Sequence, residues 1–204
     1  MPLQTADALL FDLGRVVIDI DFTRAIACWA DHARCDPHVI EQRFRQDVGY
    51  ERHEVGEIDT REYFAALQAA CAIDISHDQF LEGWNAIFVG EMPGMAELLQ
   101  RAARQLPLYA FTNTNPDHEI TFSQRFADIL ANFTEIFVSS TIRLRKPDAA
   151  AYDHVVKAIG VPAERIVFFD DVIENVEGAR ARGLQAVHVR SSADVAHALD
   201  ALGL

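Results

Sequence analysis

The sequence predicts an α/β protein: a parallel sheet covered by helices on both faces, with an all-helical segment inserted after the first strand. Three observations lead there. Apolar runs of strand length alternate with helical periodicity along most of the chain. Three of those runs stop on polar residues, at Asp12, at Thr112 and Asn113, and at Asp170 and Asp171. From about residue 17 to residue 91 the helical pattern continues with no strand signal.

The elements follow in order. Residues 8–11 (Ala-Leu-Leu-Phe) are continuously apolar and read as a buried strand running into Asp12. Residues 22–32 are amphipathic, and 37–47 open with a proline suited to a first helical turn. Residues 60–72 begin on Thr60 as N-cap, with Glu62 in the first turn. Residues 76–88 set Phe80, Trp84, Ile87 and Phe88 on one helical face. Pro93-Gly94 then restarts the alternation, with a helix over 95–105 and strands over 106–111 and 135–139. A helix over 147–159, a strand over 165–169 and a helix over 173–182 closed by Gly183 come next, then a strand over 185–189 and a helix over 192–202. The expected division is a core of residues 1–16 and 92–204 and a helical cap of residues 17–91.

Bulk properties narrow the function. The chain has 204 residues, half of them hydrophobic, enough for one full core and a smaller satellite. Its net charge is -13 and no basic stripe is visible, so nucleic acid is not an expected partner. An anionic ligand would need a local cationic site within a negative field. Cys28, Cys35 and Cys71 form no C-x-x-C pair and are expected as idle or buried thiols of a reducing compartment, not as a disulfide or a zinc site. No run approaches the ~18 apolar residues of a membrane span, and residues 1–7 lack the features of a secretion signal. A cytoplasmic location without a membrane partner is expected; the oligomeric state is left open.

In a parallel sheet the C-terminal strand ends share one edge, so Asp12, Thr112, Asn113, Asp170 and Asp171 should converge in a crevice there. Asp12 is a candidate nucleophile. The carboxylates suit Mg²⁺, an ion that prefers oxygen ligands. Thr112 and Asn113 can donate hydrogen bonds to a phosphoryl group, and Lys146 can supply a compact positive charge. Singly, each has a plain structural alternative: Asp170 an N-cap, Lys146 a solvated loop charge.

These residues also stand in a recognisable order. Phe11-Asp12-Leu13-Gly14, Phe111-Thr112-Asn113, Lys146-Pro147 and Phe169-Asp170-Asp171 resemble, in sequence, the four motifs of the haloacid dehalogenase (HAD) superfamily, and the inserted helices resemble its cap. The resemblance implies a Rossmann-like core and a phosphatase. Asp12 would attack a phosphate ester, and Mg²⁺ would be held by Asp12, the Gly14 carbonyl and Asp171, with Asp170 alongside. Thr112, the Asn113 backbone and Lys146 would bind the phosphoryl oxygens. Further segments, among them Asp19-Ile20-Asp21-Phe22, His53-Glu54 and Gly56-Glu57-Ile58, resemble the superfamily's sugar-phosphate phosphatases, which implies a small phosphorylated metabolite such as glucose 1-phosphate. Most of those phosphatases carry an aspartate acid/base where this chain has Gly14. The proton would then come from elsewhere, with His53 the first cap residue to examine. Two other readings are a 2-haloacid dehalogenase-like hydrolase, whose halide leaving group needs no acid, and a domain that binds a phosphorylated ligand without catalysis. Arg15, Arg52, His53 and Glu54 are candidates to face the substrate.

Overall fold

The computed structural model describes residues 3–204; Met1 and Pro2, part of the N-terminal reading above, lie outside the described residues. The sheet strands are β1 (Ala8–Phe11), β4 (Leu108–Thr112), β5 (Glu135–Val138), β6 (Ile166–Asp170) and β7 (Gln185–His188). All pair in parallel, in the spatial order β5-β4-β1-β6-β7. β1 is therefore central, and its C-terminal end lies between those of β4 and β6.

Alternation along the strands sorts the core into two layers. Leu9, Phe11, Val167 and Phe169 pack toward α6 (Met95–Ala103) and α12 (Ser192–Leu202). Ala8, Leu10, Ile166 and Phe168 pack toward α10 (Ala149–Ile159) and α11 (Ile173–Ala181). Both faces are covered, as continuous apolar strands require.

The insert holds α1 (Phe22–Ala33), α2 (Pro37–Glu41), α3 (Val48–Glu54), α4 (Thr60–Cys71) and α5 (His77–Asn85). Its apolar cluster runs unbroken into the first core layer through Val16, Val17 and Ile18. Two strands escaped the sequence reading. β2 (Ile18–Ile20) and β3 (Phe88–Glu91) pair antiparallel and form a ribbon at the insert's entry and exit. Phe88 thus starts a strand and does not end a helix.

Other corrections are local. The helix expected over 37–47 is only α2, and Asp47 instead caps α3, its side chain accepting from Gly49 and Tyr50 N–H. Asp59, not Thr60, caps α4 by accepting from Glu62 N–H at 2.8 Å. Between β4 and β5 the chain forms α7 (Pro116–Arg125) and α8 (Ala127–Leu130), and α9 (Ser139–Ile142) follows β5; none of the three was foreseen. No helix among the described residues is long and apolar enough to cross a membrane.

Candidate active site

The three polar strand ends meet. Asp12 follows β1, Thr112 closes β4, and Asp170 closes β6 with Asp171 next. Carboxylate oxygens of Asp12, Asp170 and Asp171 lie within 4.8 Å of one another. Lys146, from the loop before α10, inserts its Nζ between two of them, 2.9 Å from Asp12 Oδ1 and 2.7 Å from Asp170 Oδ2. The rings of Phe111 and Phe168 flank the same ammonium at 5.3 and 5.4 Å. Lys146 is 1% exposed, so the reading of it as a solvated loop charge fails.

Neighbours fix each member. Asn175 Nδ2 donates to both Asp170 oxygens at 3.0 and 3.1 Å, and Val172 N–H donates to Asp170 Oδ1 at 2.8 Å. Asp170 is fully buried and more heavily engaged than Asp12 or Asp171, which leaves it least able to turn toward a ligand. The Asn113 side chain grips the Lys146 backbone, donating to its carbonyl and accepting from its N–H, each at 2.9 Å. The Asn113 side chain thus positions Lys146, which leaves the expected ligand contact of Asn113 to its backbone. Thr112 is buried on the cavity wall, where its hydroxyl can serve as expected.

Charge explains what the crevice accepts. Burial pushes the Asp12 carboxyl up to about 7; Lys146 opposes the rise, and Asp170 and Asp171 add to it. Burial, reinforced by Asp170, likewise raises Asp171. For Lys146, burial works against the charge, but Asp12 and Asp170 outweigh it and hold the ammonium above its usual value. One cation thus stands against three carboxylates. The remaining negative charge and the all-oxygen donor set fit a hard divalent cation.

Above this floor lies a cavity of about 470 Å³. Core residues Asp12, Gly14, Arg15, Thr112, Asn113, Lys146 and Asp171 line it, and Phe22, Gln46, Tyr50, Glu51 and Glu54 of the insert form its roof. Glu54 is 4% exposed and joined to Arg145 at 3.0 Å, while Glu51 meets the same guanidinium at 3.0 Å. Burial raises the Glu54 carboxyl and Arg145 opposes the rise. Ser139 Oγ, 2.7 Å from the Glu54 carbonyl, adds a core-to-roof hydrogen bond.

Of the residues expected to face a substrate, Arg15 and Glu54 line the cavity. Arg52 instead pairs with Glu57 at 3.2 Å on the surface. His53 is neither a surface residue nor an acid/base facing Asp12. It is 1% exposed, stacks on Tyr63 at 4.7 Å, and borders a separate cavity with Thr60 and Asp117. Burial lowers its pKa to about 4. Sequence reasoning missed His118 and Arg145. His118 Nε2 donates to the Trp84 carbonyl at 2.8 Å and the ring stacks on Trp84, tying α7 to α5 beside the cavity. Burial holds His118 neutral, with a pKa of about 3. Arg145 carried a signal, since it adjoins Lys146 in Arg145-Lys146-Pro147.

Comparison with known proteins agrees with this geometry. The family model of haloacid dehalogenase-like hydrolases matches residues 6–183. A drimenol cyclase of Aspergillus calidoustus is 30% identical over 184 residues, covering 88% of this chain, which spans only 33% of that protein's length. A D-ribitol-5-phosphate phosphatase of Bacteroides thetaiotaomicron is 19% identical, with 91% of this chain and 93% of that one covered. Among solved structures, a HAD-family enzyme of Bacteroides thetaiotaomicron in complex with magnesium and inorganic phosphate superposes with a TM-score of 0.79. It is 22% identical, and 91% of this chain and 95% of that one are covered. The match over residues 6–183 establishes that the chain belongs to the haloacid dehalogenase-like hydrolases.

Proposed function

We propose that the chain is a Mg²⁺-dependent phosphatase that hydrolyses a small phosphorylated metabolite through an aspartyl-phosphate on Asp12, with residues 17–91 as the cap over a core of 1–16 and 92–204. The observation that carries this is the Lys146 ammonium bridging Asp12 and Asp170 beside the third carboxylate of Asp171. Asp12 attacks phosphorus in line, the ester P–O bond breaks, and the departing alkoxide takes its proton from water, since Gly14 offers none. Water then cleaves the acyl phosphate, releasing phosphate and restoring Asp12. Asp12, Asp171 and the Gly14 carbonyl would hold Mg²⁺, with Asp170 alongside, and the ion would supply the neutralisation that lets two anions approach. Lys146, the Thr112 hydroxyl and the Asn113 backbone N–H hold the transferring oxygens by charge-assisted hydrogen bonds. Asn175 and Lys146 hold the Asp170 side chain in place. The roof excludes bulk water.

The cavity size lies within the ~300–1,000 Å³ usual for small-molecule sites, which supports a metabolite over a macromolecule. We take a sugar phosphate, with glucose 1-phosphate first, as the substrate class; Gln46, Glu51 and Arg145 offer hydroxyl partners on the roof side. One observation favours a second substrate class. Phe22, Ile87, Phe88 and Phe122 make an apolar wall, suited to a phosphate with a hydrocarbon tail. The drimenol cyclase relative is consistent with that option. A cytoplasmic location belongs to the same proposal, resting on three free cysteines.

The test is phosphate release from glucose 1-phosphate, ribitol 5-phosphate and a prenyl monophosphate, with Mg²⁺ or with EDTA, alongside chloride release from 2-chloropropionate. Mg²⁺-dependent phosphate release that disappears in Asp12→Asn is the expected result. Chloride release insensitive to EDTA would establish the dehalogenase reading instead. Phosphate binding without turnover on any ester would establish the binding domain.

A further inference from the structure

A second ligand cluster lies in the insert, away from the crevice. Cys28 and His32 are four residues apart on α1, hence on one helical face, and Glu82 approaches from α5. One sulfur, one imidazole nitrogen and one carboxylate oxygen lie within 4.8 Å of one another. His32 Nε2 and Glu82 Oε2 are 2.9 Å apart. A tetrahedral zinc shell with ordinary bond lengths separates its donors by about 3.3–3.6 Å.

The helices presenting these groups are held rigidly. Trp29, the residue after Cys28, donates its indole N–H to the Phe80 carbonyl at 3.0 Å and stacks on Phe80 and Trp84 of α5. Gly83, next to Glu82, makes the close approach possible: a Cβ there would lie 2.4 Å from Trp29 Nε1. Preorganised ligands on packed helices are what a metal site needs. The surroundings are also negative. Burial, then the charges of Glu82 and Asp31, raises the Cys28 thiol above its usual value, and those same charges attract a divalent cation.

We propose that Cys28, His32 and Glu82 form a binding site for Zn²⁺ or a similar thiophilic divalent ion, with water in the fourth position, that clips α1 to α5. Binding displaces the thiol proton to solvent, and the metal takes the place of the hydrogen between His32 Nε2 and Glu82. The sulfur and nitrogen donors select against Mg²⁺, so the site does not compete with the carboxylate floor for that ion. It departs from the sequence expectation that the cysteines are idle.

The experiment is a Co²⁺ titration of the full chain in saturating Mg²⁺, followed by absorption in the thiolate-to-cobalt charge-transfer region and displacement by Zn²⁺. One equivalent of a charge-transfer species is expected, lost in Cys28→Ser and kept in Cys35→Ser and Cys71→Ser. Zn²⁺ affinity should fall at least tenfold in His32→Ala and also fall in Glu82→Gln, whose exposed position leaves folding intact. An absent band, or one that survives Cys28→Ser, overturns the proposal. So does Zn²⁺ affinity unchanged in both His32→Ala and Glu82→Gln.

Discussion

The crevice floor and the α1–α5 face each gather three potential ligands, by opposite means. The floor collects three carboxylates at the ends of two strands, buries Asp12 and Asp170 and half-buries Asp171, and offsets part of the charge with a lysine that has almost no exposure. The insert collects sulfur, nitrogen and oxygen on two neighbouring helices, where His32 and Glu82 side chains remain 26% and 66% exposed. The first arrangement is costly for the fold and is held in place by Asn175, Asn113 and two aromatic rings. The second costs little. Burying surplus charge is what a reaction site requires, whereas a clip between helices needs only position.

Five substitutions can break or sharpen that contrast. Asp12→Asn should have the largest effect, lowering phosphate release by at least about 10³-fold in a steady-state assay while leaving the circular dichroism spectrum intact. Equal release from both proteins would remove Asp12 from the chemistry. Lys146→Met leaves the buried carboxylates without their partner and should cost roughly 3–5 kcal/mol in urea unfolding. Cys28→Ser should leave that stability nearly unchanged without metal. A metal concentration of 100 times Kd should stabilise the wild type by about 2.7 kcal/mol. Cys28→Ser should lose that gain for Zn²⁺ and retain it for Mg²⁺.

Gly14→Asp adds a carboxyl where most superfamily phosphatases have one. The first atom of that side chain would sit 3.0 Å from Ile20 Cδ1, so Ile20 must turn aside slightly. Where proton transfer limits the rate, esters of poorly leaving alcohols should be hydrolysed about 10²-fold faster, with little change for aryl esters. An unchanged alkyl rate would mean that another group, such as the roof carboxyl of Glu54, already supplies the proton.

The smallest effect concerns the histidines beside the insert. His53 and His118 titrate in the fold at about 4 and about 3, below their unfolded value of ~6.5. The unfolded chain therefore takes up protons first as pH falls. Their contribution to stability is complete above pH ~6.5 and declines as the pH drops toward 4. Asp12, raised to about 7, acts in the opposite direction, so the difference between proteins is the readout. Urea midpoints should fall less steeply between pH 6.5 and 5 in His118→Gln than in the wild type; a steeper fall would contradict the burial argument.

The strands β1, β4 and β6 were legible because each is a continuous apolar run broken by a polar residue, a pattern set by burial on both faces and exposure at one end. Lys146 was legible only as a candidate, since nothing local says that its loop folds back into the crevice. The β2–β3 ribbon was hidden because its strands have three and four residues and their partner lies about 70 positions away. His53 shows another limit. On a seven-residue helix, adjacent His53 and Glu54 point to different cavities, and the sequence cannot assign which one meets Asp12. The Cys28–His32 spacing was visible, but Glu82 joins it only through the packing of Trp29 against α5.

Arg145 joins the roof of the cavity to its floor. Its guanidinium holds Glu51 and Glu54 of the roof, and its peptide adjoins Lys146, whose backbone is gripped by Asn113. The hold of α3 on the core thus rests on the residue that precedes Lys146, so a change at Arg145 reaches the roof and the floor together.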